Sequence, residues 1–241
     1  MTLPKGVIFD VDGTLLDSMS IWENAGAAYL HTLGITAEPN LDQIVFPMTM
    51  EQSCSYIKEH YHLSQSVDEV LAGIHEMIRV FYFEEAPLKS GAAELLELLY
   101  QHRIPMVIAT TSEREHIEAA FLRLGIDHYF AQVFTATEVG AGKHQPDIYL
   151  AALDTLSGLQ GASSDAPFRP PKNSLQTSEG TKTSSLAPSD VWVFEDIGYA
   201  IKTAKQCGFY TVGVADPVSN QFQESIEPIC DMYIRDFFEI V

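Results

Sequence analysis

Short apolar runs that alternate with helical stretches constrain the fold of this chain more than any other feature of its sequence. The runs are rich in Val, Ile and Phe without polar alternation, which is typical of strands buried on both faces of a sheet. They lie at residues 6–9, 105–109, 133–135, 191–194 and 211–214. Helical periodicity occupies residues 91–102, 113–124, 147–156 and 200–207. This alternation predicts an α/β fold with a parallel, doubly wound sheet.

The region between the first and second apolar runs has a different pattern. Residues 19–84 show helical spacing of apolar side chains throughout and no convincing strand. We therefore predict two domains. Residues 1–15 and 88–241 form the sheet core, and residues 16–87 form an inserted helical domain.

Residues 158–189 do not fit the alternation. This segment is rich in Ser, Thr, Pro and Gly and separates a helix from a strand that needs only a short connection. It predicts a mobile surface excursion. Two interpretations stay open: a tolerated insertion, or a lid or partner-binding loop.

The charge balance excludes several classes of partner. The formal net charge is -19 and the isoelectric point is about 4.6, whereas nucleic acids and anionic membranes are bound by clustered Lys and Arg. The three cysteines give neither a disulfide framework nor a zinc-binding spacing. The residues before the first strand show no long apolar signal segment, and no apolar run reaches the roughly 18 residues of a membrane span. We expect a cytoplasmic protein that binds neither nucleic acid nor membrane.

Reactive side chains follow the first four predicted strands. Because ligands of open parallel sheets bind at the carboxyl ends of the strands, we expect these side chains to converge. They are Asp10 and Asp12 after the first strand, Thr110, Thr111 and Ser112 after the second, Lys143 after the third, and Glu195 and Asp196 after the fourth.

This set of residues favours phosphoryl chemistry with a divalent metal. Several carboxylates in one place repel each other unless a cation lies among them, and Mg²⁺ prefers such hard oxygen ligands. A lysine and a hydroxyl beside the metal suit a phosphoryl group, and an aspartate is then able to act as nucleophile. The expected partner is a small phosphorylated metabolite.

Four segments resemble the motifs of the haloacid dehalogenase superfamily, in order. They read "FDVDGTLLDS", "MVIATTS", "GKHQPDIYLAAL" and "VFEDIGYAIKTAKQCG". The likeness is greatest to the phosphatase and phosphomutase branch, and it covers nearly the whole chain apart from residues 158–189. It implies a Rossmann-like core with an inserted helical cap domain over residues 16–87.

The resemblance implies roles for the acidic residues. Asp10 attacks phosphorus and becomes an aspartyl-phosphate, while Asp12 protonates the leaving oxygen and then activates water. Asp10, the backbone carbonyl of Asp12 and Asp196 bind Mg²⁺. Glu195 orients the ligands of the metal.

The resemblance also implies that Thr110 and Lys143 hold the phosphoryl group, with Lys143 balancing the charge of Asp10. Thr111 is a candidate for substrate binding, but Thr111 and Ser112 fit the start of the following helix at least as well. Trp22 is either a surface for stacking on a sugar or base, or a core residue at helical spacing.

Two departures from the family pattern affect the loops that carry the fourth motif and Lys143. Ile197 and Ala200 stand in the fourth motif where Ser and Gly are common. His144 stands after Lys143 in place of the usual Pro, which leaves that loop less rigid.

Several residues narrow the activity. Dehalogenases of the superfamily lack the second acid of the first motif, so Asp12 favours phosphoryl transfer. Trp22 stands where the sugar-phosphate mutases carry a His, and Lys58 and Arg79 are the only Lys or Arg residues of the predicted cap. The segment "IVFPMTMEQS" in the cap has no Lys or Arg, which favours a monophosphate with a neutral leaving group.

The sequence therefore predicts a phosphatase for a sugar or nucleoside monophosphate. A phosphosugar mutase and a non-catalytic binding protein on the same fold remain as alternatives. Whether the protein is a monomer or a dimer stays open.

Overall fold

The computed structural model describes residues 3–45, 48–159, 186–221 and 223–241. Within these ranges the strands are β1 (Gly6–Phe9), β2 (Met106–Thr110), β3 (Phe130–Thr135), β4 (Val191–Glu195), β5 (Tyr210–Val214) and β6 (Met232–Ile234). They form one sheet in the order β3-β2-β1-β4-β5-β6, and every neighbouring pair is parallel. The predicted α/β fold class is confirmed.

Helices connect these strands. Between β1 and β2 lie α1 (Met19–Thr32), α2 (Leu41–Val45), α3 (Met50–His60) and α4 (Val67–Val80), and a π-helical turn at Phe81–Glu85 follows α4. After that turn come α5 (Ala92–Gln101), α6 (Arg114–Leu124), α7 (Ala136–Val139), α8 (Asp147–Leu159) and α9 (Gly198–Gln206). None of the helices in the described ranges is both long enough and apolar enough to cross a membrane.

The strand order changes direction at β1, which lies between β2 and β4. Phe9 at the end of β1 is in register with Ile108 on one side and with Phe194 on the other. The amide of Asp10 extends this ladder by donating to the carbonyl of Phe194 at 3.0 Å. Ligands of open α/β sheets bind outside the carboxyl ends of the strands at such a switch point, which is where Asp10 lies.

Both faces of the sheet are covered, which explains why its strands are apolar without alternation. On one face, Ile8 and Val193 belong to a buried cluster that includes Ile148 of α8. On the other face, Phe9 stacks on Phe194 with their ring centroids 4.6 Å apart, and Phe237, which follows β6, packs against Phe194 with centroids 5.8 Å apart.

Contacts divide the chain into two compact units. The core unit comprises Met1–Asp17 and Pro87–Val241, and the helical unit comprises Ser18–Ala86. In the helical unit, capping boxes begin α3 at Thr49 and α4 at Ser66. A Cβ at Gly73 would lie 2.1 Å from Cε2 of Tyr29, so only glycine lets that buried ring pack against α4.

Some boundaries differ from the sequence prediction. Strand β6 was not predicted, because its three residues are too few to give a pattern. Strand β3 begins three residues earlier than expected, at Phe130, and α8 continues through Gly158 to Leu159. The predicted surface excursion lies mostly outside the described residues, although Leu186 near its end is buried.

Candidate active site

Three buried carboxylates meet at the carboxyl ends of β1 and β4. Asp10 follows β1, Glu195 ends β4 and Asp196 comes next, and these residues are only 6%, 2% and 1% exposed. One carboxylate oxygen from each residue lies within 4.8 Å of the other two. A set made only of hard oxygen donors is the type that Mg²⁺ prefers, so these residues fit the predicted metal.

Lys143 brings a buried positive charge to this cluster. Its Nζ donates a short hydrogen bond to Oδ1 of Asp10 and a second one, of 2.8 Å, to Oε1 of Glu195. Burial by itself would lower the pKa of Lys143, but the two carboxylates overcome that effect and raise the pKa. Lys143 is therefore charged and shared between Asp10 and Glu195.

Burial also changes the acidity of the carboxylates. Burial raises the pKa of Glu195 to about 7. Lys143 opposes this shift because its positive charge favours the ionised carboxylate, and the negative charge of Asp10 adds to it. The pKa of Asp196 is likewise raised, first by burial and then by Asp10. Tyr149 of α8 donates to Oε1 of Glu195 at 2.7 Å. Three carboxylates this close together repel one another when all are ionised, so a cation that binds among them is strongly favoured.

Side chains from other segments hold Asp196 in place. The hydroxyl of Ser219 donates a short hydrogen bond to Oδ2 of Asp196, and the hydroxyl of Thr14 lies 3.4 Å from Oδ1. The amide of Ser219 donates to Oδ1 of Asp216 at 2.8 Å. Asp216 in turn accepts from Nζ of Lys89 at 2.8 Å. A largely buried ion pair thus fixes the turn that orients a predicted metal ligand.

Gln223 compensates for the first departure from the family pattern. Ile197 is the N-cap residue of α9 and has no side chain that is able to cap it. Instead, Oε1 of Gln223 accepts from the amide of Gly198 at 2.7 Å, and its Nε2 donates to the carbonyl of Asp196 at 2.7 Å. The loop after β4 is therefore fixed from outside the motif.

His144, the second departure, has a specific neighbour. Its ring stacks on the ring of Tyr199 in α9, with centroids 3.9 Å apart and planes 18° apart. This contact joins the loop that carries Lys143 to the helix that follows Asp196. A proline at position 144 would lack the aromatic ring that makes this stacking contact.

Asp12 lies on a tight turn after β1. Gly13 has a φ of 76°, which favours glycine, and its amide donates to the carbonyl of Leu16 at 3.0 Å. The side chain of Asp12 is half-buried and accepts a short hydrogen bond from the hydroxyl of Ser112. The carboxylate of Asp12 is thereby linked to the segment after β2.

The segment after β2 places its three hydroxyl residues differently. Thr110 is fully buried at the end of the strand, and its Oγ1 accepts from the amide of Ser112 at 3.0 Å. Thr111 is exposed. The expectation that Thr111 or Ser112 caps the next helix is wrong, since the N-cap residue of α6 is Glu113 and it makes no side-chain cap bond.

Trp22 belongs to α1 in the helical unit and is 39% exposed. That exposure argues against the core interpretation of Trp22. Its predicted contact with substrate stays a prediction.

Several residues at this site received no role from the sequence, among them Tyr149, Ser219 and Gln223. Ser112 was expected at this edge of the sheet, but its bond to Asp12 was not. Tyr149 stands inside the third motif on the inward face of α8, and a buried tyrosine hydroxyl needs a partner. The sequence therefore contained a feature from which its role could have been predicted. Ser219 and Gln223 follow β5 in a segment with no recognisable pattern. Their roles depend on tertiary structure.

Comparison with known proteins gives a consistent result. The family model for haloacid dehalogenase-like hydrolases matches residues 4–208. Validoxylamine A 7'-phosphate phosphatase of Streptomyces hygroscopicus subsp. limoneus is 27% identical over 212 residues, which cover 87% of this chain and 85% of that protein. A "Probable pseudouridine-5'-phosphatase" of Drosophila melanogaster is 28% identical over 225 residues, covering 90% and 84%.

A solved structure supports the same fold. A Thermotoga maritima protein assigned to the beta-phosphoglucomutases superposes with a TM-score of 0.75 at 21% sequence identity. The match covers 98% of this chain and 99% of that one. At this level of identity the likeness concerns the fold alone.

Proposed function

Because this chain belongs to the haloacid dehalogenase-like hydrolase family, we propose that it is a Mg²⁺-dependent phosphatase that hydrolyses a small phosphomonoester through an aspartyl-phosphate on Asp10. The observation that carries the proposal is the buried cluster of Asp10, Glu195 and Asp196 with Lys143 hydrogen-bonded inside it. A cluster with this charge and burial suits a phosphoryl group and its metal.

In the first step, an oxygen of Asp10 forms a bond to phosphorus while the bond from phosphorus to the leaving oxygen breaks. Asp12 gives its proton to that oxygen, so the alcohol leaves neutral and Asp12 becomes a carboxylate. Lys143 and the hydroxyl of Thr110 hold the phosphoryl oxygens in this proposal.

In the second step, Asp12 takes a proton from water, whose oxygen forms a bond to phosphorus. The bond from phosphorus to Asp10 breaks, which releases phosphate and restores the Asp10 carboxylate. Mg²⁺, held by Asp10, Asp196 and the carbonyl of Asp12 with Glu195 orienting its ligands, would offset the negative charge of the phosphoryl group.

The proposed substrates are sugar or nucleoside monophosphates. The names of the two relatives include one phosphorylated sugar-like compound and one nucleotide, which supports this class without choosing within it. Residues 16–87 would act as the cap that selects the leaving group, and Trp22 would contribute to that selection. The absence of Lys and Arg from "IVFPMTMEQS" supports a single phosphate rather than two.

A phosphate-release screen over phosphorylated metabolites in Mg²⁺ tests the proposal. We expect wild-type protein to release phosphate from some sugar or nucleoside monophosphates. Asp10→Asn should abolish this release, while Asp17→Asn, which changes an exposed aspartate of the same motif, should keep it. Isomerised sugar phosphate without net phosphate release would instead favour a mutase, and release by Asp10→Asn at the wild-type rate would refute the nucleophile.

A further inference from the structure

The hydroxyl of Ser112 is bonded to a residue distant in sequence. A serine at the N-cap position would accept from the first amides of the helix, but the N-cap residue of α6 is Glu113, so Ser112 lies one residue too early for that role. Here α6 begins without a side-chain cap. The hydroxyl instead donates to Oδ2 of Asp12, a residue 100 positions away in sequence.

The backbone around both residues is fixed by short-range hydrogen bonds. The amides of Leu15 and Leu16 donate to the carbonyl of Val11 at 2.9 and 2.8 Å, which closes the turn that carries Asp12. The amide of Ser112 donates to Oγ1 of Thr110, and Ser112 is buried. Two fixed segments therefore meet through one hydroxyl and one carboxylate, so this bond restricts the rotation of the Asp12 side chain.

We propose that Ser112 is a positioning residue for Asp12, holding Oδ2 so that Oδ1 exchanges the proton with the leaving oxygen and then with water. This inference rests on the proposed function, in which Asp12 is the acid and base. A proton donor acts efficiently only when it is within hydrogen-bond reach of its acceptor in a correct orientation. Ser112 makes no bond to phosphorus in this proposal, and its effect passes through Asp12.

The role predicts a dependence on the leaving group. An alkoxide needs a proton as it leaves, whereas the anion of an acidic phenol such as p-nitrophenol leaves without one. Loss of Asp12 positioning should therefore slow the cleavage of alkyl phosphates and spare that of p-nitrophenyl phosphate. The parameter to compare is kcat/KM. It includes only the steps up to the first irreversible one, in which the leaving group departs, and so excludes the later attack of water.

The experiment measures kcat/KM of wild type, Ser112→Ala and Ser112→Thr for a sugar monophosphate and for p-nitrophenyl phosphate. Ser112→Ala should lower the value for the sugar phosphate about tenfold or more and leave that for p-nitrophenyl phosphate near wild type. Ser112→Thr keeps a hydroxyl and should restore the ratio. Thr211→Val is the matched control, because Thr211 also donates to a carboxylate, Asp231 at 2.8 Å, near the amino end of β5.

Each outcome decides a separate point. Equal losses on both substrates, or no loss on either, would refute the role of Ser112 while wild-type activity still supports the proposed function. A wild-type protein inactive on both substrates would refute the function and with it this inference. Thermal unfolding of each variant checks folding. If Ser112→Ala fails to fold, Ser112→Cys, a weaker donor, should show the same selective loss.

Discussion

Nζ of Lys143 and Oε1 of Glu195 lie 2.8 Å apart in a region where both side chains are almost fully buried. Lys143 also contacts Asp10, and Asp196 completes the acidic cluster. Without this ammonium group, three carboxylates would be buried together and their mutual repulsion would be uncompensated. Lys143 is therefore expected to stabilise the metal-free protein in addition to its proposed role in catalysis.

Lys143→Met should both abolish phosphate release and destabilise the metal-free protein. Removing one partner of a buried ion pair lowers the free energy of unfolding by about 3–5 kcal/mol. Urea unfolding in the presence of a chelator measures the change. Lys205→Met is the matched control, since Lys205 pairs with Asp231 in a partly exposed position, where the loss should be at most about 1 kcal/mol. Equal losses from the two variants would contradict the assigned burial of Lys143.

The metal-free protein should lose stability as the pH rises through the range in which Glu195 ionises. Burial raises the pKa of Glu195 from its ordinary 4.5 to about 7. The folded state therefore favours the protonated form, and this contribution is complete below pH 4.5 and is lost as the pH rises through about 7. Asp196, whose pKa is also raised, acts in the same direction.

Glu195→Gln isolates this effect, because glutamine does not titrate. Unfolding of both proteins in a chelator across the same range of pH gives the difference in their free energies of unfolding. We expect the stability of wild type relative to Glu195→Gln to fall over that range. A constant or rising difference would show that Glu195 is not a buried acid of raised pKa.

Mg²⁺ binding should depend on Asp196 and on the hydroxyl that orients it. Calorimetric titration of Asp196→Asn with Mg²⁺ should show no binding at concentrations that saturate wild type. Ser219→Ala keeps every carboxylate but removes the hydrogen bond to Oδ2 of Asp196, and it should weaken affinity about tenfold. Asp190→Asn, which changes an aspartate that pairs with exposed Lys5, should bind as wild type does. Unchanged affinity in Asp196→Asn would place the metal elsewhere.

The sequence was most informative where the motif residues sit directly at strand ends. Asp10, Glu195 and Asp196 follow apolar runs whose burial was predictable from composition, and the rule for ligands in parallel sheets then brings them together. Lys143 was predictable because the motif follows it. In each case a local pattern and a fold rule were sufficient.

Sequence reasoning failed where partners come from separate segments. Ser112 looked like a helix cap, because propensity describes only its own neighbours, whereas its hydrogen bond goes to Asp12 on another strand end. Gln223 replaces the cap that Ile197 lacks, and it lies in a segment after β5 without periodicity. Strand β6, with three residues, is recognisable only by its pairing with β5.

The central claim is that Asp10 carries the phosphoryl group during turnover, and trapping that group tests it most directly. Enzyme mixed with a substrate identified by the screen is quenched in acid, treated with borohydride and digested for peptide mass analysis. Borohydride reduces an aspartyl-phosphate to homoserine, so the account predicts homoserine at position 10 in wild type and unmodified peptide in Asp10→Asn. Full phosphate release with no conversion at position 10, or with conversion at another aspartate, would contradict it.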